Sequence, residues 1–315
     1  MASMSVICFK PIYKERIWGG RKLESIYGRS LPEASTLYGE SWEVSDRSDD
    51  QSVVQFGIYK GKTINQLWNE HREEVFGTGF EASERFPILI KILDATADLS
   101  IQVHPPAKYA KKFNGEPKTE MWYIANVDTN AKLHVGLKKE VTKELFNQAI
   151  NQGTVDQLTH VIHPKAGESI FINSGRLHAI CAGNVIFEIQ QNSDTTYRVF
   201  DWNRKGLNGK PRQLHIEESM TCIDFSDHTP EMDSSDGNSI ASCEYFHVEK
   251  LECKENTSIE NPNPERFSII NIVSGELLSD NGKKHKPGDT ILIPRAAPPL
   301  TASQDTILLQ TTIPL

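Results

Sequence analysis

The sequence predicts a mainly β protein made of two related β-barrel or jelly-roll units with a few packed helices. Two observations predict this fold class. Most of the chain consists of short apolar or alternating segments separated by turn residues, which is typical of sandwiches and barrels. In addition, residues 164–173 resemble residues 286–294, because each stretch combines a glycine turn, a short apolar strand and a second turn.

The strand candidates are short and frequent along the whole chain. Residues 99–104, Leu-Ser-Ile-Gln-Val-His, alternate apolar and polar side chains with the period of two expected for a half-buried strand. The predicted strands are residues 41–45, 52–56, 99–104, 121–125, 170–173, 185–190, 245–251, 267–273, 290–293 and 307–311.

Helices are fewer and carry recognisable start signals. Thr63 and Gln66 have capping-box spacing at the start of an amphipathic run that ends at Gly77. Apolar residues recur at helical spacing from residue 141 until Gly153, and residues 154–157 repeat the capping-box pattern. We expect these helices to pack against the sheets.

A polar segment at residues 227–238, rich in turn residues, predicts a linker. It divides the chain into a first domain at residues 1–226 and a second domain at residues 239–315. The first copy of the repeat is followed by His178, whereas the second is followed by two prolines. The first unit is therefore predicted to hold a metal and the second to be metal-free.

The composition limits the partners. The chain has 315 residues and a net charge of −8, so it has no electrostatic reason to bind nucleic acid or an anionic membrane. Residues 1–16 lack the pattern of a secretory signal, and no apolar stretch is long enough to span a bilayer. The five cysteines form no CxxC pair, which favours reduced thiols and a cytoplasmic protein.

Candidate metal ligands recur at strand spacing. Gln102 and His104 are two residues apart on a predicted strand, so their side chains share one face. Lys118 and Glu120 have the same relation, and His178 follows the strand of the first repeat. Imidazole, carboxylate and amide donors suit zinc, while two histidines and one carboxylate could equally hold ferrous iron. The spacing leaves both metals open.

These residues lie in motifs that resemble a known family. Residues 100–105 (Ser-Ile-Gln-Val-His-Pro) and 118–123 (Lys-Thr-Glu-Met-Trp-Tyr) closely resemble the type I mannose-6-phosphate isomerases. The same holds for residues 174–179 (Ser-Gly-Arg-Leu-His-Ala) and 190–198 (Gln-Gln-Asn-Ser-Asp-Thr-Thr-Tyr-Arg). The motifs occur in order between about residues 9 and 223, at the close spacing of the short bacterial form.

The resemblance implies a zinc-dependent double-cupin enzyme that interconverts mannose 6-phosphate and fructose 6-phosphate. By motif position, it implies that one zinc ion is held by Gln102, His104, Glu120 and His178. It also implies that Arg198 is the active-site arginine. The positions it implies for the substrate pocket are Lys91, Ser100, Lys118, Glu188 and Arg204.

The expected chemistry is a proton transfer between two adjacent carbons through a cis-enediol. Glu188 is the first choice for the group that moves the proton, and Lys118 is the second. Arg198 is expected to stabilise the enediolate or to hold the phosphate. Ser100 and Arg204 are better phosphate candidates, because a hydroxyl and a guanidinium both donate to its oxygens.

Two other functions compete with this interpretation. One is a cupin oxygenase that uses ferrous iron, against which the cationic groups beside the metal argue. The other is a non-catalytic sugar-phosphate-binding cupin, against which Glu188 and Lys118 argue. For the isomerase and for the non-catalytic binding protein, the expected partner is a small sugar phosphate. The sequence leaves the oligomeric state open, a monomer included.

Overall fold

The computed structural model describes residues 5–80 and 83–314. Residues 1–4, 81–82 and 315 lie outside the described residues. The outer ends of both predicted domains fall there, as does the beginning of the segment 1–16 in which we expect no secretory signal. Within the described ranges, no helix is long and apolar enough to cross a membrane.

The described chain forms 23 strands, six α-helices and two 3-10 helices. The strands are β1 (Ile7–Cys8), β2 (Ile12–Gly20), β3 (Tyr38–Val44), β4 (Asp46–Arg47), β5 (Asp50–Gln51), β6 (Ile88–Ala95), β7 (Ile101–Val103), β8 (Glu120–Val127), β9 (Leu133–Leu137), β10 (Thr159–Ile162), β11 (Ser169–Ile172), β12 (His178–Ile180), β13 (Asn184–Gln191), β14 (Tyr197–Phe200), β15 (Ser239–Ser242), β16 (His247–Cys253), β17 (Ser258–Ile259), β18 (Ser268–Ser274), β19 (Leu277–Leu278), β20 (Lys284–His285), β21 (Thr290–Ile293), β22 (Leu300–Ala302) and β23 (Thr306–Thr312). The α-helices are α1 (Lys22–Ser25), α2 (Ile64–Glu70), α3 (Arg72–Val75), α4 (Ala107–Ala110), α5 (Lys143–Gln152) and α6 (Ile216–Cys222), and the 3-10 helices are Lys111–Phe113 and Val155–Leu158.

Apart from β4 and β5, which form a two-stranded sheet of their own, the strands form two units, each made of two antiparallel sheets. The first unit has a six-stranded sheet, in the order β11-β8-β13-β6-β3-β2, and a five-stranded sheet, in the order β10-β9-β12-β7-β14. The second unit has a six-stranded sheet, β1-β21-β18-β23-β16-β15, and a four-stranded sheet, β17-β22-β19-β20. The fold is mainly β with two barrel-like units and a few helices, as the sequence predicts.

Each unit buries an apolar core between its own two sheets. In the first unit, Leu93, Trp122 and Ile186 of the six-stranded sheet pack with residues of the five-stranded sheet such as Val135 and Ile180. The second unit has a corresponding core around Ile270, Leu277 and Leu300. Because side chains alternate along a strand, the opposite face of each six-stranded sheet is left for another contact.

The two units pack through those opposite faces. Ile90, Met121 and Phe187 of the first unit share one buried cluster with Ile269 and Leu309 of the second. Strand β1 also joins them, since it belongs to the beginning of the chain but pairs with β21. Residues 227–238 contain no helix or strand. The division into domains 1–226 and 239–315 stays a prediction.

Most predicted elements are confirmed, with three corrections. Residues 52–56 are not a strand, because Val53 and Val54 form only isolated bridges where the chain turns back on itself. The run from Thr63 begins with the predicted capping box but breaks at His71, whose backbone (φ −130°, ψ 25°) separates α2 from α3. The second capping box is wrong: Thr154 makes no side-chain cap, and a 3-10 helix follows it.

The internal repeat is confirmed by the hydrogen bonds of its turns. In the first copy, the amide of Gly167 donates to Ile124 O (2.8 Å), and the amide of Lys165 donates to the Glu168 carboxylate (2.8 Å). In the second copy, the amide of Gly288 donates to Ile272 O (2.8 Å), and the amide of Lys286 donates to the Asp289 carboxylate (2.9 Å). Both glycines have a positive φ, which glycine adopts without strain.

The repeat shows which positions of the second unit correspond to the predicted ligands. His178 lies opposite Gln102 across β12 and β7, and Leu300 lies opposite Ile259 across β22 and β17. Glu120 precedes Ile124 by the same four residues by which Ser268 precedes Ile272. The second unit therefore carries isoleucine, serine and leucine where the first carries glutamine, glutamate and histidine.

Candidate metal and active site

The candidate site is a cavity of about 450 Å³ in the first unit, bordered by residues of both of its sheets. Seven of the predicted site residues lie in its wall: Lys91, Ser100, Gln102, Lys118, His178, Glu188 and Arg198. His104 and Glu120 are buried next to His178. Arg204 is outside the wall.

His104, Glu120 and His178 form a compact group of donors. Their ligand atoms all lie within 4.8 Å of one another. The Nε2 atom of His104 is 3.4 Å from Glu120 Oε2, and the Nε2 atom of His178 is 3.6 Å from Glu120 Oε1. Strand pairing produces this arrangement, because β12 and β7 bring His178 beside Gln102 while β8 carries Glu120 on the facing sheet.

The backbone orients both imidazoles toward the same point. The Nδ1 atom of His104 is 2.9 Å from Thr195 O, and the Nδ1 atom of His178 is 2.9 Å from Arg176 O. A carbonyl oxygen only accepts, so each Nδ1 carries the proton and each Nε2 presents its lone pair to the group. This tautomer leaves the Nε2 atom of each histidine free to bind a metal ion.

Buried atoms of the group lack hydrogen-bond partners. Among the described residues, His104 Nε2 and Glu120 Oε1 have none, although both residues are almost completely buried. Lys118 Nζ lies 2.8 Å from Glu120 Oε2, as an ion pair without the angles of a hydrogen bond. Unsatisfied buried donors and acceptors are costly, so this set of atoms fits a divalent cation.

Gln102 lies at the same point but presents its nitrogen. Its Nε2 atom is 3.3 Å from His178 Nε2, while the Ser100 hydroxyl donates to its Oε1 over 3.1 Å. A metal ion binds the amide oxygen, so ligation by Gln102 requires the amide to rotate by half a turn. Its role as fourth ligand stays a prediction.

Electrostatics favour metal-binding protonation states. Burial lowers the pKa of His104 to about 4, assisted by the charge of Lys118. Burial also lowers the pKa of His178. For Glu120, burial opposes ionisation, but Lys118 and the two histidines outweigh it and place the pKa well below its usual range. At neutral pH the group therefore offers two neutral imidazoles and one carboxylate.

A second buried carboxylate, Glu188, lies beside this group and borders the cavity. Its Oε1 atom accepts from Lys91 Nζ over 2.9 Å, and its Oε2 atom accepts from Trp122 Nε1 over 3.2 Å. Lys118 Nζ is 3.9 Å from Oε1. Burial opposes the charge of Lys91, but Glu188 and Glu40 outweigh it and raise its pKa. Lys91 is thus a permanent cation that holds Glu188 in place.

Three arginines lie in or near the site and differ in their surroundings. Arg198 and Arg204 are predicted from the sequence, and Arg212 is found only in the structure. Arg198 borders the cavity, and within the described chain its guanidinium forms no ion pair. Arg204 donates to Asp201 over 2.9 and 3.1 Å, away from the cavity wall. Its predicted role at the phosphate stays a prediction. Arg212 also donates to Asp201, yet it does border the cavity.

Sequence reasoning missed Arg212 and two further wall residues, Arg16 and Glu40. Arg16 donates to both oxygens of Glu40 over 3.2 and 3.0 Å. Arg16 and Glu40 are 24 residues apart in the sequence, and the pairing of β2 with β3 brings them together. No local signal marks Arg212, which follows a proline in a turn-rich segment.

Comparison with known proteins gives consistent matches. Residues 6–118 match the family described as "Phosphomannose isomerase type I, catalytic domain". The chain is 39% identical over 298 residues to the mannose-6-phosphate isomerase ManA of Bacillus subtilis, a match that covers 91% of this chain and 92% of that one.

Solved structures agree with these matches. A crystal structure of the mannose 6-phosphate isomerase from Bacillus subtilis has a TM-score of 0.87 and 35% identity, and covers 98% of this chain and 100% of that chain. A mannose 6-phosphate isomerase whose structure is described as holo and zinc bound shares the fold, with a TM-score of 0.77 and 17% identity over 99% of this chain and 100% of that chain. The two units are therefore those of a cupin fold.

Proposed function

The chain belongs to the type I phosphomannose isomerase family, and from this membership we propose that it interconverts mannose 6-phosphate and fructose 6-phosphate in the cavity of the first unit. A small sugar phosphate is the proposed partner, and the cytoplasm is the proposed location. The proposal is carried by one observation. A candidate metal-binding group, a buried carboxylate and an arginine that forms no ion pair among the described residues all border or adjoin one cavity.

We propose zinc as the metal, held by His104, Glu120 and His178, with Gln102 as fourth ligand. The unpartnered buried atoms and the fixed histidine tautomers support this assignment. Two neutral imidazoles, one amide and one carboxylate would leave a zinc site with a net positive charge. When bound, the ion would polarise the sugar oxygens and favour the charge that develops on them. The zinc-bound relative supports the choice of metal.

Glu188 is the proposed group for proton transfer. A base near the sugar removes the proton from C2 of the open-chain aldose, and O1 takes up a proton, which gives the cis-enediol. The ketose forms when C1 is protonated and the hydroxyl on C2 loses its proton. Glu188 borders the cavity, and Lys91 and Trp122 fix both of its oxygens. A fixed carboxylate exchanges a proton between adjacent carbons without rotating, so this orientation supports its role.

Lys118 is the alternative for proton transfer. Its ammonium lies 2.8 Å from Glu120 and 3.9 Å from Glu188, so it sits between the metal-binding group and the second carboxylate. This position suits a cation that stabilises negative charge on the substrate oxygens. We therefore place Glu188 first and give Lys118 the supporting electrostatic role.

Arg198, Lys91 and Ser100 are the proposed substrate contacts. Arg198 faces the cavity, so its guanidinium is available for the phosphate or for the enediolate oxygen. The Ser100 hydroxyl already donates to Gln102, and rotation of that amide would free it for a substrate oxygen. Lys91 also borders the cavity and contributes positive charge next to Glu188.

The test is a coupled assay with mannose 6-phosphate on metal-stripped protein, to which zinc or ferrous iron is added back. We expect no turnover without metal and restored turnover with zinc. Oxygen consumption should be absent with either metal, which separates an isomerase from an oxygenase.

Tight zinc binding without turnover of mannose 6-phosphate would overturn the isomerase proposal and favour a binding protein. Oxygen consumption with ferrous iron would favour the oxygenase. Turnover that survives complete metal removal would overturn the metal assignment while keeping the reaction.

A further inference from the structure

A hairpin-like loop, residues 204–212, closes one side of the cavity. Its ends meet in a bridge between Lys205 and Pro211, and the amide of Gly206 donates to Lys210 O over 2.8 Å. Leu207 and Asn208 at its tip border the cavity, and the side chain of Leu207 is exposed. Residues at the tip and at one end of the loop therefore form part of the cavity wall.

One buried carboxylate, Asp201, holds both ends of this loop. It accepts from Arg204 Nε and Nη2 over 3.1 and 2.9 Å. It also accepts from Arg212 Nε and Nη2 over 2.7 and 2.5 Å. The shorter contacts belong to Arg212, whose Nη1 has no hydrogen-bond partner within residues 5–80 and 83–314. A planar guanidinium held along one edge keeps its free edge in a fixed direction.

Arg198 and Arg212 both border the cavity, and Arg212 is near enough for its charge to act on Arg198. Burial lowers the pKa of Arg198, and the nearby charge of Arg212 lowers it further. Arg198, Arg204 and Arg212 carry three positive charges, and Asp201 carries one negative charge. Without the exposed Asp194, this cluster therefore has a net charge of +2. Repulsion between neighbouring cations is relieved when an anion binds between them.

We infer that Arg212, held in direction by Asp201, binds the phosphate of the substrate together with Arg198, and that the loop thereby selects phosphorylated sugars. This inference rests on the proposed function for the identity of the sugar. Arg212 is the binding residue, and Asp201 is a positioning residue that acts through it. Neither residue takes part in the proton transfer.

A phosphate monoester suits this arrangement better than a hydroxyl does. It carries close to two negative charges, and its oxygens accept paired hydrogen bonds from a guanidinium. The metal-binding group and Glu188 belong to the same cavity, so a ligand anchored at the loop by its phosphate extends its other end toward them.

The experiment compares variants that each remove one positive charge from this region. They are Arg212→Gln, Arg204→Gln and, as the matched control, Lys205→Gln, which is exposed on the same loop and outside the cavity wall. We expect Arg212→Gln to raise KM for mannose 6-phosphate about 10- to 100-fold with a much smaller change in kcat. Arg204→Gln should raise it clearly less, and Lys205→Gln should match the parent.

Binding of inorganic phosphate, measured by calorimetry on the zinc-loaded protein, provides a readout that needs no turnover. Its affinity should fall in Arg212→Gln and stay in Lys205→Gln. Asp201→Asn should also raise KM while the zinc content stays constant. A purely structural role of Asp201 would instead lower the melting temperature and leave KM and phosphate affinity unchanged.

Equal KM and equal phosphate affinity in Arg212→Gln and Lys205→Gln would overturn the inference, whatever the reaction is. A larger effect of Arg204→Gln than of Arg212→Gln would also overturn it and transfer the role to Arg204. If the parent protein does not turn over mannose 6-phosphate but loses phosphate affinity in Arg212→Gln, the proposed function fails and the phosphate site stands.

Discussion

Glu188 and Lys91 lie directly opposite each other on paired strands β13 and β6, with Oε1 and Nζ 2.9 Å apart in the cavity wall. Both side chains are almost completely buried. A buried charge is tolerated only with a partner, and here each residue provides the opposite charge for the other. This pair determines how the proposed proton-transfer group is held.

Replacement of Glu188 by Gln removes the base and keeps the shape of the side chain. We expect kcat to fall about 100- to 10,000-fold, the usual contribution of a positioned acid–base group, with zinc content unchanged. Lys118→Met is the comparison variant, measured in the same assay. Turnover near that of the parent in Glu188→Gln, with a large loss in Lys118→Met, would exchange the two roles.

His178→Ala should release the metal and abolish turnover. The sheet does not depend on this side chain, so the free energy of unfolding of the metal-free protein should fall by less than about 3 kcal/mol. Metal content measured by elemental analysis checks this. The matched control is His134→Ala, another buried histidine, whose Nδ1 lies 2.5 Å from Thr159 Oγ1. Stoichiometric zinc in His178→Ala, or zinc loss in the control, would contradict the ligand assignment.

Buried His285 in the second unit predicts a loss of stability in acid. Burial lowers its pKa to about 4, and its neighbours are Ser279, Cys8, Lys283 and Asp289. The unfolded chain takes up a proton near pH 6.5 and the folded chain only near pH 4, so stability falls as the pH falls between these values. Urea unfolding of metal-free protein at pH 6.5 and 4.5 should show a smaller fall in His285→Gln than in the parent. An identical fall would contradict the prediction.

Gly77 is a contact point between the units, and its substitution should be costly. It has φ +97°, forms a bridge with Arg266, and an added Cβ would collide with Glu265 O. We expect Gly77→Ala to lower the free energy of unfolding by more than about 3 kcal/mol, through backbone strain and the clash together. Gly282→Ala, at φ +77° with open space around it, isolates the strain and should cost about 1 kcal/mol. Equal costs would show that the contact is not tight.

Local pattern was enough to predict many of the elements. Alternation in residues 99–104 predicted β7, and the spacing of Thr63 and Gln66 predicted a capping box that the structure contains. The prediction of a strand at residues 52–56 was wrong, because apolar composition does not show whether a partner strand is available. The break at His71 likewise depends on where the two short helices pack, which propensity does not encode.

The fold class, the internal repeat and the candidate metal ligands could be predicted from the sequence, because they depend on short-range periodicity and spacing. Which charges meet depends on the tertiary fold. Arg204 and Arg212 are similar residues in one turn-rich segment, yet only Arg212 borders the cavity. The Lys91–Glu188 pair spans 97 residues and exists only through strand register. Contacts between distant segments follow from sheet order and packing, which no local pattern contains.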